Sequence, residues 1–328
     1  MIRQKISILL PIHNAAPWIS ETIRSIQAQS YTDWELISIN DFSTDDSVEI
    51  LHEIVKIDSR IHLIQNERKG IIPALQLGLQ FASGDFLTRM DGDDIMPERR
   101  LEQMITHLNS LPPKSIVTGK VRYFSEVEVS DGYKKYEAWL NGRVDKSDFF
   151  EHIYRECVVA SPNWLVRTTE MIESGIIDQL NYPEDYDMAF RWMKNGFSIH
   201  GIDEVTLLWR EHPQRTSRNS EVYNQASFFG LKLKWFCELN ATDSIAVLGA
   251  GTKGKLAARF LLDHNIDFTW HDLDWKNYNS PIFGKAIEDY SLLNSKLVLI
   301  AIYPEKKKPL LAFLHEKGFR IGENAWFL

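Results

Sequence analysis

Short apolar runs alternate with amphipathic stretches from the start of the chain. Lys5–Ile12 (KISILLPI) predicts a strand, and the segment after HNAAP predicts a helix with Ile19, Ile23 and Ile26 on one face. Trp34–Ile39 predicts a second strand, ending in Asn40-Asp41. A helix follows from about Asp45, with Val48, Leu51, Ile54 and Val55 at helical spacing. Ile61–Ile64 predicts a third strand. From about Gly70 a helix carries Ile71, Ile72, Leu75, Leu79 and Ala82 along one side and is closed by Gly84. Phe86–Met90 predicts a fourth strand, then come the acids of DGDD and a helix opening at Pro97. Leu101, Met104, Ile105 and Leu108 give that helix an apolar face. Strands separated by single helices imply an α/β fold, a mostly parallel sheet flanked by helices with right-handed crossovers.

The pattern weakens after a strand at Ile116–Phe124, where polar sequence with Gly132 and Gly142 reads as irregular. Order returns near Asp148, with a short strand in WLVR and a helix near Thr168. Tyr182-Pro183-Glu184-Asp185 opens a strong helix that carries Tyr186, Phe190 and Met193 on one face and ends at Asn195-Gly196. A strand at Val205–Trp209 leads into a basic loop through Arg218, and a helix runs from about Glu221 to Leu239. At Asp243 the alternation restarts with SIAVLGAGTKGKLAARFLL, IDFTWHD, KLVLIAIYP, a helix and FRIGENAWFL. The expected organisation is a first α/β domain over 1–219, a linking helix over 220–240 and a smaller Rossmann-like α/β domain over 241–328.

Composition narrows the class. The chain has 328 residues, 44% hydrophobic and 25% charged, which suits roughly two globular domains. A net charge of −8 argues against nucleic acid as a partner. No apolar run approaches the ~20 residues of a membrane span, and the N-terminal apolar run is too short for a secretory signal. Two cysteines, Cys157 and Cys237, support neither a disulfide framework nor a zinc site, so the expected location is the cytoplasm.

The chemistry gathers in GDFLTRMDGDDIMPERR (Gly84–Arg100). In open α/β sheets ligands collect at the carboxyl ends of strands, which is where Asp91, Asp93 and Asp94 fall. If the strand continues one residue further, Asp91 and Asp93 face the same side, and converging carboxylates suit Mg²⁺ or Mn²⁺. Arg68, Lys69 and Gly70 stand just before a helix, where positive side chains and free N–H groups suit a diphosphate. Asp41 with FSTDDS is also good helix-capping sequence, and Glu184-Asp185 at a helix start also complements the helix dipole.

Residues from Ile6 to about Ser217 resemble the family 2 glycosyltransferases, the inverting group with the GT-A nucleotide-sugar-binding fold. The resemblance rests on an ordered set: PIHNAAPWISETIRSIQAQSYTDWELISINDFSTDDS, RKGIIPALQLGLQFASGDFLTRMDGDD, YPEDYDMAFRWMKNGF and LWREHPQRTS. It implies that Asp41 reads the nucleobase, in a pocket lined by the backbone from Pro11 through His13 to Asn14. His13 stands where many relatives carry Tyr, and Asn40 where the family usually has Asp. It further implies that Asp91 meets the ribose or donor sugar, with Asp94 completing the acidic cluster, and that Asp93 binds the metal. Asp185 becomes the catalytic base, Glu184 its orienting neighbour, His212 a metal ligand, and Arg210, Arg215 and Arg218 phosphate contacts. A haloacid-dehalogenase phosphatase also has Asp-x-Asp after a strand, but its strand comes first in the chain and Thr or Val follows the second acid; here Asp94 follows.

The expected activity is metal-dependent inverting transfer from a nucleotide-diphosphate sugar, UDP-linked, to a glycan or lipid-linked acceptor in bacterial surface polysaccharide synthesis. The acceptor would bring the protein to the cytosolic face of a membrane. The rival reading is a non-catalytic nucleotide-sugar sensor or scaffold. Gly249-Ala250-Gly251-Thr252-Lys253-Gly254 after a strand, with Asp272 ending the next, is a dinucleotide fingerprint in its required context. Only about three strands are legible there, so an accessory nucleotide-binding or docking role is expected rather than hydride transfer. Tyr303 and Lys307 match a dehydrogenase spacing, but Pro304 opposes a catalytic helix at that point.

Overall fold

The structure, a computed structural model, describes residues 4–240, 244–302 and 307–328. Tyr303 and Pro304, and Asp243 at the expected domain boundary, lie outside the described residues. Two compact units form: Met1–Phe149 with Val159–Asn219, and Phe150–Val158 with Ser220–Leu328.

The first unit opens as predicted. β1 (Ile6–Ile12), α1 (Ile19–Gln27), β2 (Trp34–Asn40), α2 (Ser47–Val55), β3 (Ile61–Gln65), α3 (Ile71–Phe81), β4 (Phe86–Arg89) and α4 (Arg100–Asn109) follow in order. β1 and β2 are buried along their whole length, which is why their runs are apolar rather than alternating. Next come β5 (Ser115–Phe124), α5 (Asp131–Lys146), β6 (Leu165–Arg167), α6 (Thr168–Ser174), α7 (Glu184–Lys194), β7 (Ser198–Arg210) and the short α8 (Thr216–Asn219). Among the described residues these strands make one sheet in the order β3-β2-β1-β4-β6-β5-β7, with β6 antiparallel to both neighbours. The order reverses between β1 and β4, so their carboxyl ends open the crevice in which α/β proteins bind ligands.

Several local expectations give way to packing. α3 ends at Phe81 with an extended Ala82, so Gly84 is not its cap. A Cβ on Gly84 would sit 2.7 Å from the Lys5 carbonyl and the Ser7 nitrogen; this glycine lets the chain pass against β1. The helix after the acids starts at Arg100 rather than Pro97, because Ile95 first bridges to Leu208 and Pro97 closes a turn on Arg100. The segment read as irregular is a 16-residue helix, α5, which buries Leu140, Arg143 and Val144. β7 begins seven residues before Val205, at Ser198, alongside β5.

The second unit holds α9 (Gln225–Leu239), β8 (Ile245–Leu248), α10 (Thr252–Asp263), β9 (Phe268–Asp272), β10 (Glu288–Asp289), β11 (Leu297–Ile300), α11 (Lys307–Glu316) and β12 (Ala325–Phe327). Among the described residues five strands, not three, pair in parallel in the order β10-β9-β8-β11-β12, a doubly wound arrangement with its switch point between β8 and β11. Among the described residues no helix is long and apolar enough to cross a membrane.

Candidate active site

The acidic turn leaves the end of β4 and is braced from α1. Thr22 donates its hydroxyl to the carbonyls of Gly92 and Asp94 at 3.0 and 2.9 Å. Gln29 donates to the carbonyls of Met96 and Pro97 and accepts from the Leu101 N–H. β4 stops at Arg89, so Asp91 and Asp93 stand in a turn and not on an extended strand.

Arg89 is the buried centre of the site. Its Nε donates to Asp91 Oδ1 at 2.8 Å and its Nη1 to Glu184 Oε1 at 3.1 Å, joining the end of β4 to the first residue of α7. Arg100, fully buried beneath, donates to the carbonyl of Pro162 and the Thr88 hydroxyl. Negative charge still exceeds positive. Burial, then Asp93, raises the Asp91 carboxyl against the pull of Arg89. Burial, then Asp93 and Asp91, pushes buried Asp94 well above the usual carboxylate range. Asp185 is pushed up to about 7 by burial and by Glu184. It accepts from the Tyr186 N–H at 2.8 Å, at the start of α7.

Across the cluster, His212 Nε2 lies 2.8 Å from Asp93 Oδ2, although 119 residues separate the two in the chain. The indole of Trp18 packs on the imidazole with ring centroids 3.9 Å apart, fixing its plane. Neighbouring corners of an octahedron of Mg²⁺–oxygen bonds are about 2.9 Å apart, so this carboxylate and imidazole stand at a separation two ligands of one ion adopt. Asp94 Oδ2 is buried without a hydrogen-bond partner among the described residues. Carboxylate oxygens plus an imidazole, in a site short of positive charge, fit Mg²⁺ or Mn²⁺.

Arg210 is placed as a brace and not as an open phosphate contact. Its backbone N–H donates to Asp94 Oδ1, its Nε to the Asp93 carbonyl, and its guanidinium pairs with Glu21. Arg215 lies among the rings of Tyr123, Tyr133 and Trp209 and pairs with Glu211, which also holds Arg218 at 2.5 Å.

The residues expected to bind the nucleotide lie around the ends of β1 and β2. Asp41 Oδ1 accepts from Asn66 Nδ2 and from the Gly70 N–H, both at 2.8 Å. Its carbonyl lies 2.7 Å from His13 Nδ1, and the His13 ring is exposed. Asn14 takes φ +52°, which asparagine tolerates, and its Oδ1 accepts from the Thr44 N–H at 2.8 Å. Pro11 is buried within β1, and Lys69 is exposed. Asn40, in the place of the usual acid, donates to Gln65 and accepts from the Ser43 N–H. Three residues absent from the sequence-based set belong to this region: Arg89, Trp18 and Tyr182. Only Arg89 left a signal, as the single charge inside an apolar strand.

In the second unit two of the three fingerprint glycines answer to the fold. A Cβ on Gly254 would lie 1.9 Å from the Gly249 carbonyl oxygen, and Gly249 (φ +114°) passes close to the Ala301 backbone. Gly251 has open space there. Asp272 turns inward, accepting from the N–H groups of Ala250 at 2.6 Å and Asp274 at 2.7 Å.

The chain matches the model of "Glycosyl transferase family 2" over residues 7–173. A Haemophilus influenzae protein described as an uncharacterized glycosyltransferase is 30% identical over 67% of this chain and 68% of its own. TuaG of Bacillus subtilis, named for teichuronic acid biosynthesis, is 35% identical over 30% of this chain and 40% of its own. Among solved structures, S. aureus TarS 1-349 in complex with UDP-GlcNAc shares 20% identity and a TM-score of 0.54, covering 79% of this chain and 72% of that one. A Pyrobaculum calidifontis mannosyltransferase in complex with GDP-Man and Mn²⁺ shares 19% identity and a TM-score of 0.55, covering 80% and 70%. At that identity the two structures establish the fold.

Replacing Arg89 by Met should destabilise the first unit by about 3–5 kcal/mol, since it leaves Asp91 and Glu184 without their shared cation. Arg89→Lys should recover only part of this, because an ammonium lacks the fork that holds both acids. Urea unfolding of the three proteins checks the order; equal midpoints for Arg89→Met and wild type would refute it.

Proposed function

We propose that this chain, which belongs to glycosyl transferase family 2 and is a sugar-transferring enzyme, moves a sugar from a UDP-linked donor to a hydroxyl of a glycan or lipid-linked acceptor, inverting C1 with the help of a divalent cation. The observation that carries this reading is the double grip of Arg89, which brings the Asp91–Asp93 turn and the Glu184–Asp185 pair to one place.

Asp185 acts as general base. Its carboxylate takes the proton of the acceptor hydroxyl as that oxygen bonds to C1. The bond from C1 to the diphosphate breaks on the opposite face, and its electron pair leaves on the phosphate oxygen. Glu184, fixed by Arg89, holds the base helix in place. Asp91 orients the donor ribose or sugar, and Asp41, Pro11, His13 and Asn14 form the nucleotide pocket, with Lys69 at its rim. Mg²⁺ or Mn²⁺, held by Asp93 and His212, supplies charge neutralisation for the leaving diphosphate when bound. Asp94 and Arg210 keep the acidic turn against the end of β7.

The donor and metal assignments draw support from the UDP-GlcNAc and the GDP-Man and Mn²⁺ in the two structural neighbours. A place in surface polysaccharide synthesis draws support from the name of TuaG, which refers to teichuronic acid biosynthesis. For the second unit we favour an accessory nucleotide-binding or docking role: Gly251 leaves room at the start of α10, while both Asp272 oxygens are already engaged.

Asp185→Asn should lower turnover ~10²–10⁴-fold while UDP and Mn²⁺ still bind. With the folded pKa raised to about 7, the base is ionised above that pH, so wild-type kcat/KM should fall about tenfold from pH 8 to pH 6. A flat profile, or near-normal turnover by the variant, would leave Asp185 only a helix-start acid. Asp93→Asn should abolish metal-dependent UDP binding with little loss of stability, and undiminished turnover in EDTA would contradict the cation's role. For the second unit, the full chain is titrated with NADH and NADPH and followed at 340 nm. Sugar-dependent cofactor oxidation would overturn the accessory role.

A further inference from the structure

Glycine at position 70 has a neighbour that the reaction as described above does not use. Gly70 adopts φ +125°, and a Cβ built on it would lie 2.8 Å from the Tyr182 hydroxyl. The phenol oxygen stands at the first turn of α3, where the N–H groups of Ile72 and Ile71 act on it and the helix has no side-chain cap of its own. Glu184 and Asp41 are charged groups that also act on it. Tyr182 therefore stands between the carboxylate of the nucleotide pocket and the acid that precedes Asp185.

The chain leading into Tyr182 is tied down. Gln76 of α3 donates to the carbonyls of Ile177 and Asp178, at 3.4 and 3.1 Å, so the approach to Tyr182 lies along α3. Just before Tyr182, the Asn181 N–H donates to buried Asp187 of α7 at 2.8 Å, and Asp187 pairs with Arg191 at 2.7 Å. Position therefore passes from the start of α3 through Tyr182 and its loop into the first turn of α7. On the other side of Gly70, its own N–H donates to both carboxylate oxygens of Asp41. One short turn thus holds the nucleotide-pocket acid through a nitrogen and the base-bearing loop through a phenol.

We infer that Tyr182 is a positioning residue for transfer: its hydroxyl, bonded to the start of α3, sets the distance between the Asp41–Gly70 pocket and Asp185. The inference rests on the reading of Asp185 as the base and of Asp41–Gly70 as part of the donor pocket. Tyr182→Phe keeps the ring and removes the link. The loop then samples placements in which Asp185 is out of register with the acceptor hydroxyl, and the donor pocket stays as it was. Loss of one neutral hydrogen bond corresponds to about a 3–10-fold fall in the competent population.

The experiment measures UDP release from UDP-GlcNAc with Mn²⁺, together with calorimetric titration of UDP, for wild type, Tyr182→Phe and Gly70→Ala. Tyr182→Phe should lower kcat about 3–10-fold, leave the UDP Kd within twofold, and move the acid limb of the pH profile below its wild-type position as Asp185 loses its close surroundings. Gly70→Ala, which drives a methyl group into the hydroxyl, should lower kcat as well, and the double variant should be no worse than the poorer single one. Equal kcat and an unmoved acid limb in Tyr182→Phe would overturn the inference, as would a loss confined to UDP affinity. A wild-type protein that neither binds UDP nor releases it from UDP-GlcNAc would instead refute the donor reading on which the inference stands.

Discussion

A buried guanidinium shared by two carboxylates is the interaction on which the site depends. Arg89 sits in a strand four residues long, and its two partners lie 2 and 95 positions away along the chain. Burying one such ion costs several kcal/mol, which mutual attraction offsets only when geometry and hydrogen bonding are good. A planar fork with several donors meets that condition for two acids at once, whereas a lysine would meet it for one. The result is a rigid bracket: where β4 ends, α7 begins. Asp91 at the end of β4 and Glu184 at the start of α7 both hang on that bracket.

Much of this fold could be read from the chain before any coordinates. β1, β2 and β4 are apolar runs because a central parallel strand is covered on both faces, and that pattern survives in one dimension. The readings that failed were decided by neighbours remote in sequence. Gly84 looked like a helix stop because it follows α3; its real constraint is β1, some 77 residues earlier. Pro97 looked like a first helical residue, but Ile95 is claimed by Leu208. α5 escaped notice since Gly132 and Gly142 lower its intrinsic propensity and, of its 16 residues, only Leu140, Arg143 and Val144 are buried. The acids were visible as types at positions. Asp93 and His212 were paired as ligands of one metal by the family resemblance alone, and that Arg210 would turn inward to Glu21 had no signature in the chain.

In the second unit the motif answers partly to the fold itself. Two of its three glycines are required by the fold alone, one to let α10 lie against the turn and one to pass the end of β11. Such a loop would persist with no ligand ever bound. Gly251 is different: nothing internal forbids a side chain there, so its smallness is free to serve something outside the chain. The inward turn of Asp272 then argues that this something is not recognised by the ribose contact typical of a dinucleotide. Five parallel strands supply the switch-point crevice, and the motif supplies one fingerprint glycine that the fold does not demand.

Two demands in the first unit oppose each other. A base working near neutral pH needs its carboxyl raised, while an acidic cluster that attracts a cation gains by staying ionised. The structure divides these demands by position. Asp93 meets His212 on one flank, with Trp18 setting the ring; Glu184 and Asp185 lie on the other, at the start of α7. Arg89 and Asp91 stand between them as an internally compensated pair. The Asp91 carboxylate still adds to the upward push on Asp185, and Asp93 and Glu184 to that on Asp91, so the two flanks stay electrostatically linked through this pair. Had Arg89 been apolar, Glu184 would face Asp91 with no cation between, and like-charge repulsion would raise every acid in the cluster together. One arginine thus tempers, without cancelling, the push that Glu184 and Asp91 add to burial in holding the Asp185 carboxyl up at about 7.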